Sequence, residues 1–202
     1  MIAPLSRQVR AYFSYEHFYV IYCKFWELDT DHDLVITKAD LRRHDDQAIS
    51  TRMVERIFSG AVTRRSKVAG EIMDKETMNY ENFVWFLLSE EDKTTPTAIE
   101  FWFRCMDLDG DGCISMYEME YFFEEQVHRM DRLSVEVTEF NDCLCQMLDM
   151  VKPRNPNYIL LSDLKRCKMA AQFFNVFFNL HKVGAVVYAS PLCGTGGERG
   201  GR

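Results

Sequence analysis

The stretch Asp107-Leu108-Asp109-Gly110-Asp111-Gly112-Cys113-Ile114-Ser115-Met116-Tyr117-Glu118 decides how this chain is read. Asp107, Asp109 and Asp111 put carboxylates at the first, third and fifth positions, and Glu118 adds another from the first turn of a following helix. A hard cation that takes about six to eight oxygens needs this kind of ligand set, and Ca2+ is the one that it suits. Gly112 at the sixth position permits a sharp turn that a side chain would obstruct. Cys113 at the seventh supplies its backbone carbonyl while its sulfur points away, so a zinc site is not expected. Ser115 at the ninth acts through a water. The expected metal ligands are therefore Asp107, Asp109, Asp111, Cys113 and Glu118. An acidic solvated turn would have no need of Gly112, Ile114 and Glu118 together.

Outward from this loop, Phe101, Trp102, Cys105 and Met106 on one side and Met119, Tyr121, Phe122 and Phe123 on the other give two helices their apolar faces. The half-motif that opens the exiting helix, Ile114-Ser115 followed by Met119, recurs as Ile36-Thr37 with Leu41, Met78-Asn79 with Phe83, and Ile159-Leu160 with Leu164. The interval between copies is roughly forty residues, the scale of a helix–loop–helix repeat. The repeat resembles two pairs of EF-hands. Helices are expected at Tyr15 to Leu28 (buried all round, capped by Ser14), Lys38 to Asp46, Thr51 to Phe58 and Tyr80 to Leu88. More follow at Thr97 to Met106, Met116 to Met130 behind a Ser115/Glu118 capping box, Thr138 to Met150 and Ser162 to Leu180. No alternating strand pattern of useful length accompanies them. The expected fold is all-α: tandem EF-hand pairs with one well-formed calcium loop and degenerate partners.

The other loops depart from the pattern. Asp29-Thr30-Asp31-His32-Asp33-Leu34-Val35-Ile36-Thr37-Lys38-Ala39-Asp40 keeps the early carboxylates, but Leu34 stands at the glycine position and Asp40 is one methylene shorter than glutamate. A left-handed Leu34 costs about 1–2 kcal/mol. Weak or no calcium binding is the expectation there. The loop before Phe83 offers Glu71, Met73 and Lys75 at positions one, three and five, and the loop before Leu164 offers Lys152, Arg154 and Pro156. Neither holds a divalent cation; each supplies apolar surface to its pair.

Among 202 residues the net charge is −7, which argues against nucleic acid as a partner. Seven cysteines, most of them inside apolar helical patterns (Cys143 and Cys145 read as small core residues on different faces), indicate a reduced intracellular protein. No basic start with an apolar run and no stretch of eighteen uncharged apolar residues occurs, so neither a signal peptide nor a membrane span is expected. There is no Walker A loop, nucleophile elbow, H-E-x-x-H or dinucleotide fingerprint, and the chain is not expected to be an enzyme.

Five stretches carry a more specific likeness: Ser14 to Asp29, Arg56-Ile57-Phe58-Ser59-Gly60-Ala61-Val62-Thr63-Arg64, Phe83 to Lys93, Trp102-Phe103-Arg104-Cys105-Met106-Asp107 and Cys143-Leu144-Cys145-Gln146-Met147-Leu148-Asp149. Through them the chain resembles the B″ (B double-prime) regulatory subunits of protein phosphatase 2A from Tyr12 to Leu180. The resemblance implies a non-catalytic subunit that docks on the phosphatase scaffold and catalytic subunits, directs the choice of phosphoprotein substrates and makes holoenzyme assembly responsive to calcium. It implies a place in the cytoplasm, the nucleus or both. A longer N-terminal portion and an acidic continuation after Lys182 belong to the family pattern. The expectation is therefore a short isoform or fragment whose tail from Val183 derives from an alternative coding segment. The expected organisation is a lead-in over 1–12, a degenerate EF-hand pair over 13–92, a second pair with the calcium loop over 93–181 and a disordered Gly/Arg-containing tail over 182–202. The alternative is a free calcium sensor or buffer, for which 11 methionines and 15 phenylalanines would furnish an apolar groove.

Overall fold

The computed structural model describes residues 15–62, 77–135 and 139–182. Ser14, the tail from Val183, the lead-in over 1–12 and the loop with Glu71, Met73 and Lys75 lie outside the described residues. Each recurring half-motif forms a three-residue strand that runs straight into a helix. In chain order these are β1 (Val35–Thr37) with α2 (Lys38–Arg42), and β2 (Thr77–Asn79) with α4 (Tyr80–Glu91). In the second half they are β3 (Cys113–Ser115) with α6 (Met116–Arg132), and β4 (Tyr158–Leu160) with α8 (Leu161–Arg166). The remaining helices are α1 (Tyr15–Leu28), α3 (Thr51–Phe58), α5 (Pro96–Met106), α7 (Phe140–Val151) and α9 (Ala170–Phe178). β1 pairs antiparallel with β2 through Ile36 opposite Met78, and β3 with β4 through Ile114 opposite Ile159. These strands hold too few residues for alternation to be legible in the sequence. Their central side chains are fully buried, so each loop is fastened to a partner by an apolar rivet.

Helix starts follow the capping chemistry. Thr37, Ser50, Asn79, Thr95 and Ser115 each accept a hydrogen bond from the backbone N–H of the third helical residue, and Pro96 occupies the first turn where no N–H is needed. Three expected helices differ. The segment from Lys38 to Asp46 stops at Arg42 and becomes a 3-10 turn, His44–Gln47, because Asp45 and Asp46 adopt left-handed φ of 48° and 51°. Ser162 to Leu180 divides at Cys167, which is extended, and this break lets α9 turn Phe173, Phe174, Phe177 and Phe178 into the core. The polar stretch after Leu88 continues α4 to Glu91, with Glu90 buried beside Lys93 at 2.6 Å.

Helix α1 is not buried all round: Ile21, Phe25 and Leu28 face the core, whereas Tyr15, Phe18, Tyr19, Val20, Tyr22 and Trp26 are exposed. Off the core face, Trp26 stacks on His32 at 3.8 Å and Lys24 pairs with Glu91 at 2.7 Å, so these contacts lie at the surface and not in the core. Cys145 likewise is exposed, while Cys143 is core, as two residues apart on a helix face different ways.

One contiguous apolar cluster crosses both halves. At its centre Trp102 of α5 stacks on Phe178 of α9 at 4.5 Å and meets Phe86 of α4 edge-on. The segment around Ile49 pairs with the chain after α9, with Ser50 N–H donating to Phe178 O and Leu180 N–H to Ala48 O. The two EF-hand pairs therefore share a core and a backbone seam.

Candidate metal centre

Helix α5 ends at Met106, and the loop that follows reverses the chain into β3 and α6. Gly110 and Gly112 take positive φ of 77° and 84°. A Cβ at either would meet nothing within 4 Å, so it is the left-handed backbone and not crowding that calls for glycine. The turn is stitched by its own carboxylates. Asp107 accepts from Gly110 N–H at 2.7 Å and Gly112 N–H at 3.1 Å, and Asp109 accepts from Asp111 N–H at 3.1 Å. Glu118 spans the loop, accepting from Leu108 N–H at 2.6 Å through one oxygen and from Ser115 N–H and Oγ at 2.8 and 2.9 Å through the other.

These bonds bring Asp107, Asp109 and Glu118 together, with one oxygen from each within 4.8 Å of the others. Asp107 and Glu118 are buried and Asp109 is exposed, so the cluster opens to solvent on one side. Three carboxylates at this separation repel one another, and a divalent cation removes that penalty. Asp111 does not join the cluster. Its carboxylate accepts from Cys113 N–H at 2.9 Å and from the Cys113 thiol at 3.0 Å, which holds its pKa below the usual range. Burial, the hydrogen bond to Asp111 and the nearby carboxylates of Asp111, Glu118 and Asp107 push the Cys113 thiol up to about 12, and the ligand atoms that converge are all carboxylate oxygens. The residues present fit calcium: Asp107, Asp109 and Glu118 would hold it directly, with Asp111 and the Cys113 carbonyl at the positions the loop pattern assigns them.

The loop of Asp29 is built in parallel. Asp29, Asp31 and Asp33 also converge within 4.8 Å. The fully buried Asp29 accepts from Asp33 N–H at 3.2 Å and Leu34 N–H at 3.0 Å. His32 and Leu34 take the left-handed φ, 59° and 67°, that Gly110 and Gly112 take in the other loop. The far end differs. Asp40 completes a capping box with Thr37 and pairs with Arg43 at 2.7 Å, and it does not reach the three aspartates. Arg43 also donates to Leu28 O at 2.7 Å, so a guanidinium bridges the span that Glu118 bridges with a carboxylate in the other loop.

Arg56 on α3 was not legible as a site residue. Its guanidinium donates to Cys105 O at 2.9 Å and Asp107 O at 2.6 Å, capping α5 and gripping the first residue of the calcium loop. The exiting helix is fastened to the same element: Glu125 of α6 accepts from Thr51 and Arg52 N–H at 2.7 and 2.8 Å, and Arg129 donates to Ala48 O at 3.1 Å. Both helices that flank the loop are thus tied to the first half of the chain.

A family model for an EF-hand domain pair matches residues 18–124. That match joins the loops of Asp29 and Asp107, the two with clustered carboxylates, whereas strand pairing joins each of them to a ligand-poor neighbour. The chain is 64% identical over 175 residues to the beta form of the human serine/threonine-protein phosphatase 2A B″ regulatory subunit, covering 87% of this chain and 30% of that protein. It is 57% identical over 181 residues to the delta form of the mouse B″ regulatory subunit, covering 90% and 36%. A solved chain described as a PP2A PR70 holoenzyme, with diCa in its label, superposes with a TM-score of 0.79 at 60% identity, covering 88% of this chain and 63% of that one. The chain spans about a third of the length of these two curated relatives. It belongs to the EF-hand domain-pair family, and its relatives there are the B″ regulatory subunits of protein phosphatase 2A.

Proposed function

We propose that this chain is the calcium-binding part of a phosphatase 2A regulatory subunit. It is non-catalytic, docks on the scaffold and catalytic subunits, directs phosphoprotein choice and makes assembly respond to calcium inside the cell. Its pairs over 13–92 and 93–181 act as one body. The observation that carries this reading is the convergence of Asp107, Asp109 and Glu118 between two helices that are both tied to α3. Calcium drawn into that cluster fixes the angle between α5 and α6, and the ties pass that angle to the first half. The Asp107 loop is the tighter site, and the Asp29 loop is a weaker second site whose aspartates lack a closing glutamate. The likeness to a holoenzyme labelled diCa supports two sites.

Affinity capture of the chain with phosphatase scaffold and catalytic subunits, in calcium and in chelator, tests the proposal. Retention is expected in calcium and loss in chelator, with Asp107→Ala resembling chelator throughout. By reciprocity the assembled complex binds calcium more tightly than the free chain, typically by about 5- to 150-fold. Equal retention under both conditions would contradict the calcium-responsive part.

A further inference from the structure

A cleft of about 550 Å³ opens where the 3-10 turn, the start of α3 and the second half of α6 meet; Arg42, Ile49, Glu125, His128, Arg129 and Arg132 contribute to its walls. We propose that this cleft binds a phosphorylated segment of a partner protein, with Arg42, Arg129 and Arg132 holding the phosphate monoester. On a chain of net charge −7, the walls of this cleft carry three guanidinium groups and one carboxylate. That carboxylate is already spoken for, because Glu125 accepts from the backbone N–H groups of Thr51 and Arg52. Arg129 is fixed by donation to Ala48 O, Gln47 O and Gln126 Oε1 and feels the Glu125 carboxylate one turn away, while the Arg132 side chain makes no hydrogen bond or ion pair among the described residues. Arg42 pairs with Glu55 at 2.7 Å on the surface, an exchange that costs little to reverse.

Guanidinium groups from two walls suit a tetrahedral dianion, since each presents a planar pair of donors to two oxygens. The cleft is larger than a single anion needs, and the buried Ile49 gives a flanking peptide side chain an apolar wall. Asp45 and Asp46 on the adjoining turn and Asp131 on α6 are exposed carboxylates. They oppose an extended polyanion such as a nucleic acid or an anionic bilayer, and leave room for one compact charge. The inference stands apart from the calcium loops and does not require them.

The test is calorimetric titration of the full chain at fixed ionic strength with inorganic phosphate, with a phosphoserine peptide and with the same peptide carrying serine. The phosphopeptide is expected to bind, inorganic phosphate to bind more weakly and the serine peptide not at all. Arg132→Ala and Arg42→Ala should each weaken the phosphopeptide by about fivefold or more, while Lys165→Ala, outside the cleft, leaves it unchanged. Arg129 is left in place because it holds two carbonyls, and thermal melts confirm that the two arginine variants stay folded. Absence of phosphopeptide binding, equal binding of the serine peptide, or binding indifferent to Arg42 and Arg132 would overturn the proposal. So would binding to anionic phospholipid vesicles in its place.

Discussion

The loops that begin at Asp29 and Asp107 share three early aspartates and the same two left-handed turn positions, and they part at the twelfth residue. Glu118 reaches back across its loop to Leu108 N–H, so the ring of carboxylates closes on itself. Asp40 stops short, and Arg43 spans the distance to Leu28 O. One methylene and one neighbouring cation thus separate a loop that closes with a carboxylate from one that closes with a guanidinium. Early aspartates set whether oxygens gather; the twelfth residue sets whether they enclose.

The strongest break in this contrast comes from Glu118→Gln, which removes the closing charge and should weaken calcium binding at the second loop by about 100-fold. Ser115→Ala disturbs a water-mediated contact and the cap, so it costs about 1 kcal/mol of stability and much less affinity. Calorimetry on the two variants checks the order, and equal affinities would refute the assigned roles. Next, Asp40→Glu restores reach in the first loop and should tighten calcium there about tenfold. An unchanged affinity would mean that Arg43, not length, limits the site.

Arg56→Ala sharpens the comparison from outside the loops. It removes the grip on Asp107 O and should weaken calcium at the second loop by about fivefold while leaving the first loop unchanged. Equal effects on both loops would indicate general loosening. The smallest expected effect concerns the turn position. Gly112→Leu should cost about 1–2 kcal/mol in denaturant unfolding, and Leu34→Gly should return less than that because glycine adds about 0.5–1 kcal/mol of unfolded-state entropy. A larger gain from Leu34→Gly would show strain beyond the backbone conformation.

The loops and helix starts were legible because their determinants are local: a carboxylate at every second position, a glycine at the sixth, Ser115 three residues before Glu118. Those local patterns carried both the EF-hand fold and the likeness to B″ subunits. What local pattern could not show is where a side chain meets distant chain. Arg56 looks like an ordinary exposed arginine in the sequence, and its partners lie about fifty residues away. The aromatic richness of α1 suggested burial all round, yet only Ile21, Phe25 and Leu28 enter the core, and Trp26 meets His32 at the surface instead. The break at Cys167 follows from the need to aim α9 at Trp102, a tertiary demand that helical periodicity does not carry.

The most direct test of the difference between the loops is a calcium titration of the chain by calorimetry. The expected isotherm has one site with a Kd of about 10⁻⁷–10⁻⁵ M that Glu118→Gln removes, and a weaker phase that this substitution leaves standing. Two sites of equal affinity, or loss of the weaker phase alone in Glu118→Gln, would contradict the assignment of the closing carboxylate as the feature that separates them.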